Sequence, residues 1–317
     1  MSEHRDERLL FTPPFTIREA CVQASSFLEE SGVEEARSNA ELLLMHVLKV
    51  DRMALLRDWN EPFAPELAAT WEEVVRRKAA GEPAQYIMGE QWFYGRPFTV
   101  TPAVLIPRPE TELLVEAVLE AADALWPPEL AAVPTVIDVG TGSGAIGVTL
   151  ASQRPHWRVC ASDLSEDALA VARMNAARHE AADRMAFMQG DLLAPFAQQR
   201  AGAAAGTSTA EYRVDVLVSN PPYIPADDLA GLQREVRDYE PHLALDGGAD
   251  GLGPYRRMVE QLPSLLQTPR IVAFELGMGQ AQDVAALLRE FGAWDEIRII
   301  TDYGGIERHV IAVQTSK

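Results

Sequence analysis

The chain has 317 residues, of which 47% are hydrophobic and 24% charged, a composition typical of a soluble globular protein with about two domains. Its net charge of −19 disfavours direct DNA binding, because nucleic-acid binders gain affinity from Lys and Arg contacts to phosphates. No apolar run approaches the roughly eighteen residues of a membrane span, and the start MSEHRDERLL is too charged for a signal peptide. We therefore expect a cytoplasmic protein without a membrane partner.

The two cysteines, Cys21 and Cys160, have no neighbouring Cys or His at metal-ligand spacing. The six histidines show no such spacing either. Neither a disulfide framework nor a metal site is predicted, and both cysteines are expected to be small buried residues.

Residues 1–82 are predicted to form a small bundle of three helices. Thr16 and Glu19 have the spacing of a capping box at a helix start, and Gly32 suits the end of that helix. A third helix fits residues 65–80. The second helix repeats apolar residues on one face: Ala36, Ala40, Leu43, Leu44, Val47 and Leu48. Such a bundle is more often a module for substrate recognition than a catalytic domain.

Residues 83–108 mix alternating apolar residues with glycine and proline, which predicts short strands and turns that connect two domains. Pro109 then begins a helix, and Glu110 and Glu112 complement the positive end of its dipole. Arg108 has two open readings, a surface charge before the helix and a contact near the ligand pocket, and Glu112 is most simply a dipole partner. Neither is assigned a catalytic role.

Residues 109–317 alternate strand and helix, which predicts an α/β domain with a mostly parallel sheet. Ligands are expected at the carboxyl ends of its strands. The small polar stretch at residues 198–213 is predicted to be a mobile loop. The predicted strands are TVIDVG, RVCASD, MAFMQGD, VDVLVSN, RIVAFELG, EIRIITD and RHVIAVQ.

The first of these strands ends in a glycine loop, DVGTGSG, that opens a helix. Glycine there lets the backbone turn tightly and lets a ligand approach the helix amides. Asp163 ends the next strand, where a carboxylate can accept from ribose hydroxyls, and Asp191 follows the third strand, where it could meet an adenine amino group. The loop residues are Gly140, Thr141, Gly142, Ser143 and Gly144.

The glycines do not decide between a dinucleotide and S-adenosylmethionine. A dinucleotide site favours GxGxxG, and Gly142, Gly144 and Gly147 fit that pattern tolerably after a shift of frame. The choice therefore depends on a second motif.

That motif is SNPPY, at the end of the fourth strand. Asn220 can donate and accept hydrogen bonds, Pro221 and Pro222 make the segment rigid, and Tyr223 supplies a flat face. These groups suit a planar substrate that carries an NH2. If Asn220 and a backbone carbonyl accept from that NH2, the nitrogen is aligned with the sulfonium methyl of S-adenosylmethionine, and catalysis comes from positioning without a metal or a histidine base.

Together, these motifs make the chain resemble the HemK/PrmC-type glutamine-N5 methyltransferases that modify peptide chain release factors. The resemblance spans nearly the whole chain and rests on DVGTGSGAIG, SNPPY, EPHLALDGGADGLGPY and the segment from QYIMGEQWFYG to IPRPETELLVE. It implies a seven-stranded, Rossmann-like class I methyltransferase domain, an N-terminal helical bundle and a hairpin-like connection. It also implies methylation of the glutamine in the GGQ loop of class 1 release factors, in translation termination.

Carried over by residue, the resemblance implies that the loop from Gly140 to Gly144 lines the cofactor and its product S-adenosylhomocysteine. Asp163 would hold the ribose, and Asp191 and Leu192 would flank the adenine. Asn220 and Pro221 would bind the glutamine amide, with Asn220 also beside the cofactor, and Pro222 and Tyr223 would shape the pocket. A monomer is the simplest expectation for an enzyme that admits a protein substrate.

Three alternatives are open. An adenine amino-methyltransferase can carry a similar motif and would stack a flipped base on Tyr223, but the acidic charge opposes it. A sister enzyme methylates a glutamine of a ribosomal protein. Its segment corresponding to IPRPETE usually diverges, whereas this chain keeps that segment, which disfavours this alternative. A non-catalytic binding protein on the same scaffold is disfavoured by the intact loop, acids and SNPPY.

Overall fold

A computed structural model describes residues 14–127, 132–197 and 213–316. The chain divides into two compact units, Met1–Gly89 with Gln233–Tyr239 (unit 1) and Glu90–Leu232 with Glu240–Lys317 (unit 2). Each unit has hydrophobic core residues of its own. The loop predicted at 198–213 lies outside the described residues except for Arg213. No helix within the described ranges combines the length and apolar character needed to cross a bilayer.

Unit 1 begins with a helical bundle. The predicted capping box is present: Thr16 Oγ1 accepts from the Glu19 backbone N–H at 3.2 Å, and Glu19 Oε2 accepts from the Thr16 N–H at 2.7 Å. The three predicted helices are confirmed, but two further short helices were missed because five or six residues are too few to show a helical period. The helices are α1 Ile17–Glu30, α2 Ala36–Leu48, α3 Arg52–Arg57, α4 Ala68–Ala79 and α5 Ala84–Met88.

Unit 2 begins with the hairpin β1 Glu90–Phe93 and β2 Arg96–Thr99, whose strands pair antiparallel. Helix α6 Glu110–Leu125 follows, with Pro109 as its N-cap, one position from its predicted place. Phe93 and Phe98 contact each other edge to face, with ring centroids 5.9 Å apart, and both lie in the core of unit 2. The hairpin is therefore anchored by aromatic packing.

In the rest of the chain most strands are separated by helices, as predicted, and all seven predicted strands are present. The elements are β3 Thr135–Val139, α7 Ala145–Gln153, β4 Arg158–Asp163, α8 Glu166–Arg178, β5 Met185–Gln189, β6 Val216–Ser219, α9 Arg234–Tyr239, α10 Gly253–Gln261, β7 Ile271–Glu275, α11 Ala281–Phe291, β8 Glu296–Thr301 and β9 Glu307–Val313.

The seven strands form one sheet in the order β5-β4-β3-β6-β7-β9-β8, which confirms the predicted α/β class. Neighbouring strands are parallel except that β9 is antiparallel to β7 and β8. Val139 at the end of β3 pairs with Ser162 of β4 and with Ser219 of β6. The carboxyl ends of these strands therefore meet at one edge, where the predicted site residues begin.

Helix α9 belongs to unit 1 although the chain on both sides of it belongs to unit 2. Lys78, only 1% exposed, donates from Nζ to Glu235 Oε1 at 2.5 Å, and Tyr239 Oη donates to the Ala80 carbonyl at 3.0 Å. A buried lysine needs such a partner because an unpaired buried charge is costly. The sequence contained no signal for this return of the chain to unit 1.

Candidate active site

A cavity of about 550 Å³ lies in unit 2, at the carboxyl ends of its parallel strands. Of the predicted site residues, it is lined by Gly140, Thr141, Gly142, Ser143, Asp163, Asp191, Leu192, Asn220 and Pro222. Gly144, Pro221 and Tyr223 are not among its lining residues. Residues that are far apart in the sequence are thus brought to one surface, as expected for an α/β sheet.

The glycine loop forms one wall of this cavity. Gly140 and Gly142 have φ of +70° and +55°, the left-handed region that glycine adopts without strain. A Cβ on either residue would meet no atom within 4 Å, so that side of the loop is open space. The N–H groups of Gly140 and Thr141 both donate to the Ser162 carbonyl at 2.9 Å, which ties the loop to β4.

Asp138 holds the loop from beneath. Its Oδ2 accepts from Thr141 Oγ1 at 2.6 Å and from the Gly147 N–H at 2.9 Å. A Cβ on Gly147 would lie 2.9 Å from Oδ2, so glycine is needed there for close approach to Asp138. Asp138 is fully buried, and burial raises its pKa from 3.8 to about 6. Its Oδ1 has no hydrogen-bond partner in the described residues.

The two predicted acids differ in their surroundings. Asp163 accepts from the Gly142 N–H through Oδ2 and from the Ser165 N–H through Oδ1, each at 2.9 Å. Burial raises the pKa of Asp163, and the backbone N–H groups of Ser165 and Gly142 oppose that rise. Asp191 is about half exposed and forms an ion pair with Arg257, which also lines the cavity.

Two lining segments lie outside the predicted site residues, although a pocket contact was one of the two readings of Arg108 and is confirmed. One is the chain between β2 and α6, which contributes Val104, Leu105 and Arg108; the other is residues 241–244, before α10. Leu192 adds to the apolar wall with φ of +51°, unusual for a residue with a side chain. Both segments lie in stretches that carry the family resemblance, which was the only signal that could have indicated them.

Arg108 lines the cavity, and its guanidinium pairs with the buried Glu240, which also accepts from the Ile106 N–H at 3.2 Å. Glu112 accepts from the Tyr94 N–H of the hairpin at 2.8 Å, so it does more than complement the dipole of α6. Neither residue is therefore a simple surface charge.

The SNPPY segment is held in place on several sides. Ser219 Oγ donates to the Val139 carbonyl at 2.6 Å, and Asn220 Nδ2 donates to Thr111 Oγ1 at 3.4 Å. Gln280 Nε2 donates to the Tyr223 carbonyl at 2.9 Å. The Tyr223 ring packs against the core, and burial raises the pKa of its hydroxyl to about 12. Asn220 is thus fixed at the cavity while Tyr223 anchors the segment.

The segment LDGGADGLGPY packs against the backbone of Tyr223. Gly251 has φ of +74°, and a Cβ there would lie 2.2 Å from the Tyr223 carbonyl oxygen. A Cβ on Gly247 would lie 2.8 Å from the Tyr223 Cα. Glycine is required at these two positions because the chains approach too closely for any side chain.

Asn175 of α8 links the glycine loop to the hairpin. It is fully buried, and its Nδ2 donates to the Ser143 carbonyl at 2.8 Å and to the Thr99 carbonyl at 2.9 Å. Its Oδ1 accepts from the Thr99 N–H at 2.8 Å. Sequence reasoning missed this residue because an isolated asparagine in a helix carries no motif.

Comparison with known proteins divides the chain in a similar way. Residues 19–89 match the family model described as the PrmC N-terminal domain, and residues 111–247 match the methyltransferase small domain. Among solved structures, the human Mettl16 catalytic domain in complex with the MAT2A 3′UTR hairpin 6 is similar, with a TM-score of 0.51 and 14% identity. The match covers 80% of this chain and 84% of that one, and it supports the methyltransferase fold alone.

Curated relatives match over nearly their whole length. The release factor glutamine methyltransferase of Bacillus anthracis is 41% identical, covering 93% of this chain and 98% of that protein. The protein of the same name from Geobacter sulfurreducens is 43% identical, covering 93% and 96%. Identity at this level over both structural units establishes the relationship, and the chain belongs to the release factor glutamine methyltransferase family.

Proposed function

We propose that this chain transfers a methyl group from S-adenosylmethionine to the side-chain amide nitrogen of the glutamine in the GGQ loop of class 1 peptide chain release factors. The observation that carries the proposal is the position of Asn220, which lines the same cavity as the glycine loop and Asp163. The proposed acceptor for an NH2 group and the proposed nucleoside-binding residues thus line one cavity. Such an enzyme would act in the cytoplasm, where release factors work.

The lining residues fit S-adenosylmethionine. The open face of Gly140 and Gly142 leaves room for a ligand against the loop backbone. Asp163 keeps lone pairs for ribose hydroxyls, because each carboxylate oxygen accepts one backbone bond and has capacity for another. The bound cofactor would supply a methyl group made electrophilic by its sulfonium centre.

Asp191 and Leu192 would flank the adenine. Leu192 and Asp191 both line the cavity, and the Asp191 side chain is about half exposed. Asp191 is paired with Arg257. Because a carboxylate can accept several hydrogen bonds, Asp191 would accept from the adenine amino group and keep that ion pair. The two residues that would flank the adenine thus both lie just after the end of β5.

The glutamine amide would be held by Asn220 and by the carbonyl that precedes Pro221. Both groups accept hydrogen bonds from an NH2, so they would orient the nitrogen toward the methyl group. An amide nitrogen is a weak nucleophile, and aligning it with the methyl carbon is the contribution that this chain can make without a general base. Transfer would break the bond between the methyl carbon and the sulfonium sulfur, release S-adenosylhomocysteine and pass one amide proton to water. Positioning of this kind is worth up to about 7–11 kcal/mol in favourable cases.

An adenine amino-methyltransferase is the main rival. The human Mettl16 domain has a similar fold and was solved with an RNA hairpin, but a likeness at 14% identity speaks for the fold only. The net charge of −19 opposes a nucleic-acid substrate, since phosphates would meet an acidic protein. The protein substrate is therefore the better supported choice.

The proposal is tested by offering candidate substrates to the enzyme in separate reactions. The full chain is incubated with S-adenosylmethionine labelled on its methyl group and, in separate reactions, with a bacterial class 1 release factor, duplex DNA and bacterial ribosomes. Label is expected on the release factor alone. Label on DNA or on a ribosomal protein, with none on the release factor, would contradict the proposal.

A further inference from the structure

We propose that Thr111 is a positioning residue that sets which way the Asn220 amide faces. This inference rests on the proposed function, in which Asn220 Oδ1 accepts from the NH2 of the substrate glutamine. An asparagine amide can turn over and exchange its oxygen and nitrogen. The reaction therefore needs a group that holds Asn220 in the productive orientation.

Thr111 lies in the first turn of α6, is 4% exposed and lines the cavity together with Asn220. Its hydroxyl donates to Glu275 Oε2 at 2.6 Å, and Asn220 Nδ2 donates to its oxygen at 3.4 Å. The second distance exceeds the usual ~2.9–3.0 Å. Catalytic hydrogen bonds are often long without substrate and tighten in the complex.

The direction of these bonds follows from the chemistry of a hydroxyl. The Thr111 hydroxyl has one hydrogen to donate, and the Glu275 carboxylate accepts that hydrogen bond. The hydroxyl oxygen can then only accept from Asn220, so the NH2 of Asn220 must face Thr111. Its Oδ1 is left to meet the NH2 of a substrate amide.

Glu275 is itself held firmly at the end of β7. It is 2% exposed and pairs across the sheet with His309 of β9, whose Nε2 lies 3.6 Å from Oε2. Tyr255 Oη donates to the Glu275 backbone carbonyl at 2.7 Å. The acceptor that directs the Thr111 proton is therefore fixed by the sheet, and it transmits one hydrogen-bond direction to Asn220.

The reversed orientation of Asn220 would be unproductive. Its NH2 would then face the NH2 of the glutamine, and two donors cannot bond to each other. The turned amide would also leave its oxygen opposite the oxygen of Thr111. The hydrogen bonds from Asn220 to Thr111 and from Thr111 to Glu275 form a relay, which favours one of the two orientations of the Asn220 amide. Packing alone cannot distinguish these orientations, because their shapes are nearly identical.

The test compares Thr111→Val with Thr111→Ser, and with Thr149→Val as a matched control that removes a different buried threonine hydroxyl from unit 2. Methyl transfer to a release factor is measured together with the affinity for S-adenosylhomocysteine. Thr111→Val is expected to lower kcat about tenfold, with the cofactor affinity unchanged, because one orienting hydrogen bond is lost. Thr111→Ser, which keeps the hydroxyl, and Thr149→Val are expected to stay within about twofold of the unsubstituted chain.

Glu275→Gln is the second variant, should Thr111→Val fail to fold. The new amide can present either its oxygen or its NH2 to Thr111, so the threonine hydroxyl no longer has to donate in one direction and the Asn220 amide loses its single preferred orientation. A lower kcat with unchanged cofactor affinity is therefore expected, and an unchanged kcat would overturn the inference. A Thr111→Val variant as active as Thr149→Val would overturn the inference, as would equal losses of kcat and cofactor affinity. Asn220→Ala distinguishes failure of the proposed function from failure of the relay. If Asn220→Ala keeps full activity, the proposed role of Asn220 is wrong. If Asn220→Ala is inactive while Thr111→Val is fully active, only the relay is refuted.

Discussion

Asp163 and Asn220 flank the glycine loop at the ends of β4 and β6, and their proposed tasks are separable. Asp163 would contact only the cofactor, so Asp163→Ala is expected to weaken S-adenosylhomocysteine binding about tenfold or more, because hydrogen bonds to a charged acceptor are lost. Isothermal titration calorimetry measures this. Asn220→Ala is the control and is expected to keep near-normal affinity while methyl transfer nearly disappears; equal losses of affinity in both variants would point to a structural role for Asn220.

Asp138 makes stability depend on pH. Its pKa rises from 3.8 in the unfolded chain to about 6 in the folded protein, so between these values the folded state binds more protons. The Asp138 contribution therefore favours folding most below about pH 4 and falls as the pH rises to 6, by about 3 kcal/mol in total.

The Asp138→Asn variant lacks this titration and can still accept from Thr141 and Gly147 through its amide oxygen. Urea unfolding at several pH values should therefore show the variant gaining stability relative to the unsubstituted chain as the pH rises from 4 to 6. A difference between the two proteins that does not change with pH would disprove the titration of Asp138 in this window.

Sequence reasoning identified the cavity residues that belong to contiguous motifs, such as the glycine loop and SNPPY, because strand ends with suitable groups can be recognised locally. It did not identify the Thr111–Glu275 contact. These residues are 164 positions apart, and their meeting depends on how α6 packs on β7. Long-range polar pairs of this kind leave no periodic or spacing signal in a single sequence.

Gly251 lies where the segment before α10 packs against the SNPPY segment of the site. A methyl group there would press on the Tyr223 carbonyl and displace the segment that carries Asn220. We expect Gly251→Ala to lower kcat about tenfold or more, since small displacements of a catalytic group are costly. Steady-state methyl transfer to a release factor measures the effect.

Gly248→Ala is a matched control for this substitution. Gly248 also has a positive φ, +88°, but a Cβ there would meet no atom within 4 Å. Both variants therefore carry backbone strain of about 1–3 kcal/mol, and only Gly251→Ala adds the clash. If both variants lost the same activity, contact with Tyr223 would not explain the need for glycine at 251.

The strands were predictable as elements because seven short apolar runs stand out, and the helical patterns between the earlier ones specify a mostly parallel sheet. The short helices α3 and α5 were missed, and so was the membership of α9 in unit 1. The contacts of α9 within unit 1, Glu235 with Lys78 and Tyr239 with Ala80, join residues far apart in the sequence and leave no local signal.

At the scale of the whole molecule, the acidic charge and the two units suit an enzyme that acts on a protein. The boundaries at 1–82, 83–108 and 109–317 remain predictions, as does the recognition role of the helical bundle. Charge alone could not name the substrate, because an acidic surface is compatible with many partners. The resemblance over nearly the whole chain supplied what composition could not.

In the proposed reaction, the NH2 group that donates to Asn220 Oδ1 belongs to a glutamine of the release factor. The most direct test is peptide mass spectrometry of a class 1 release factor after incubation with the full chain and S-adenosylmethionine. We expect a single methyl group on the side chain of the GGQ glutamine, and none when that glutamine is replaced by glutamate. A methyl group on another residue, or one that persists after the replacement, would contradict it.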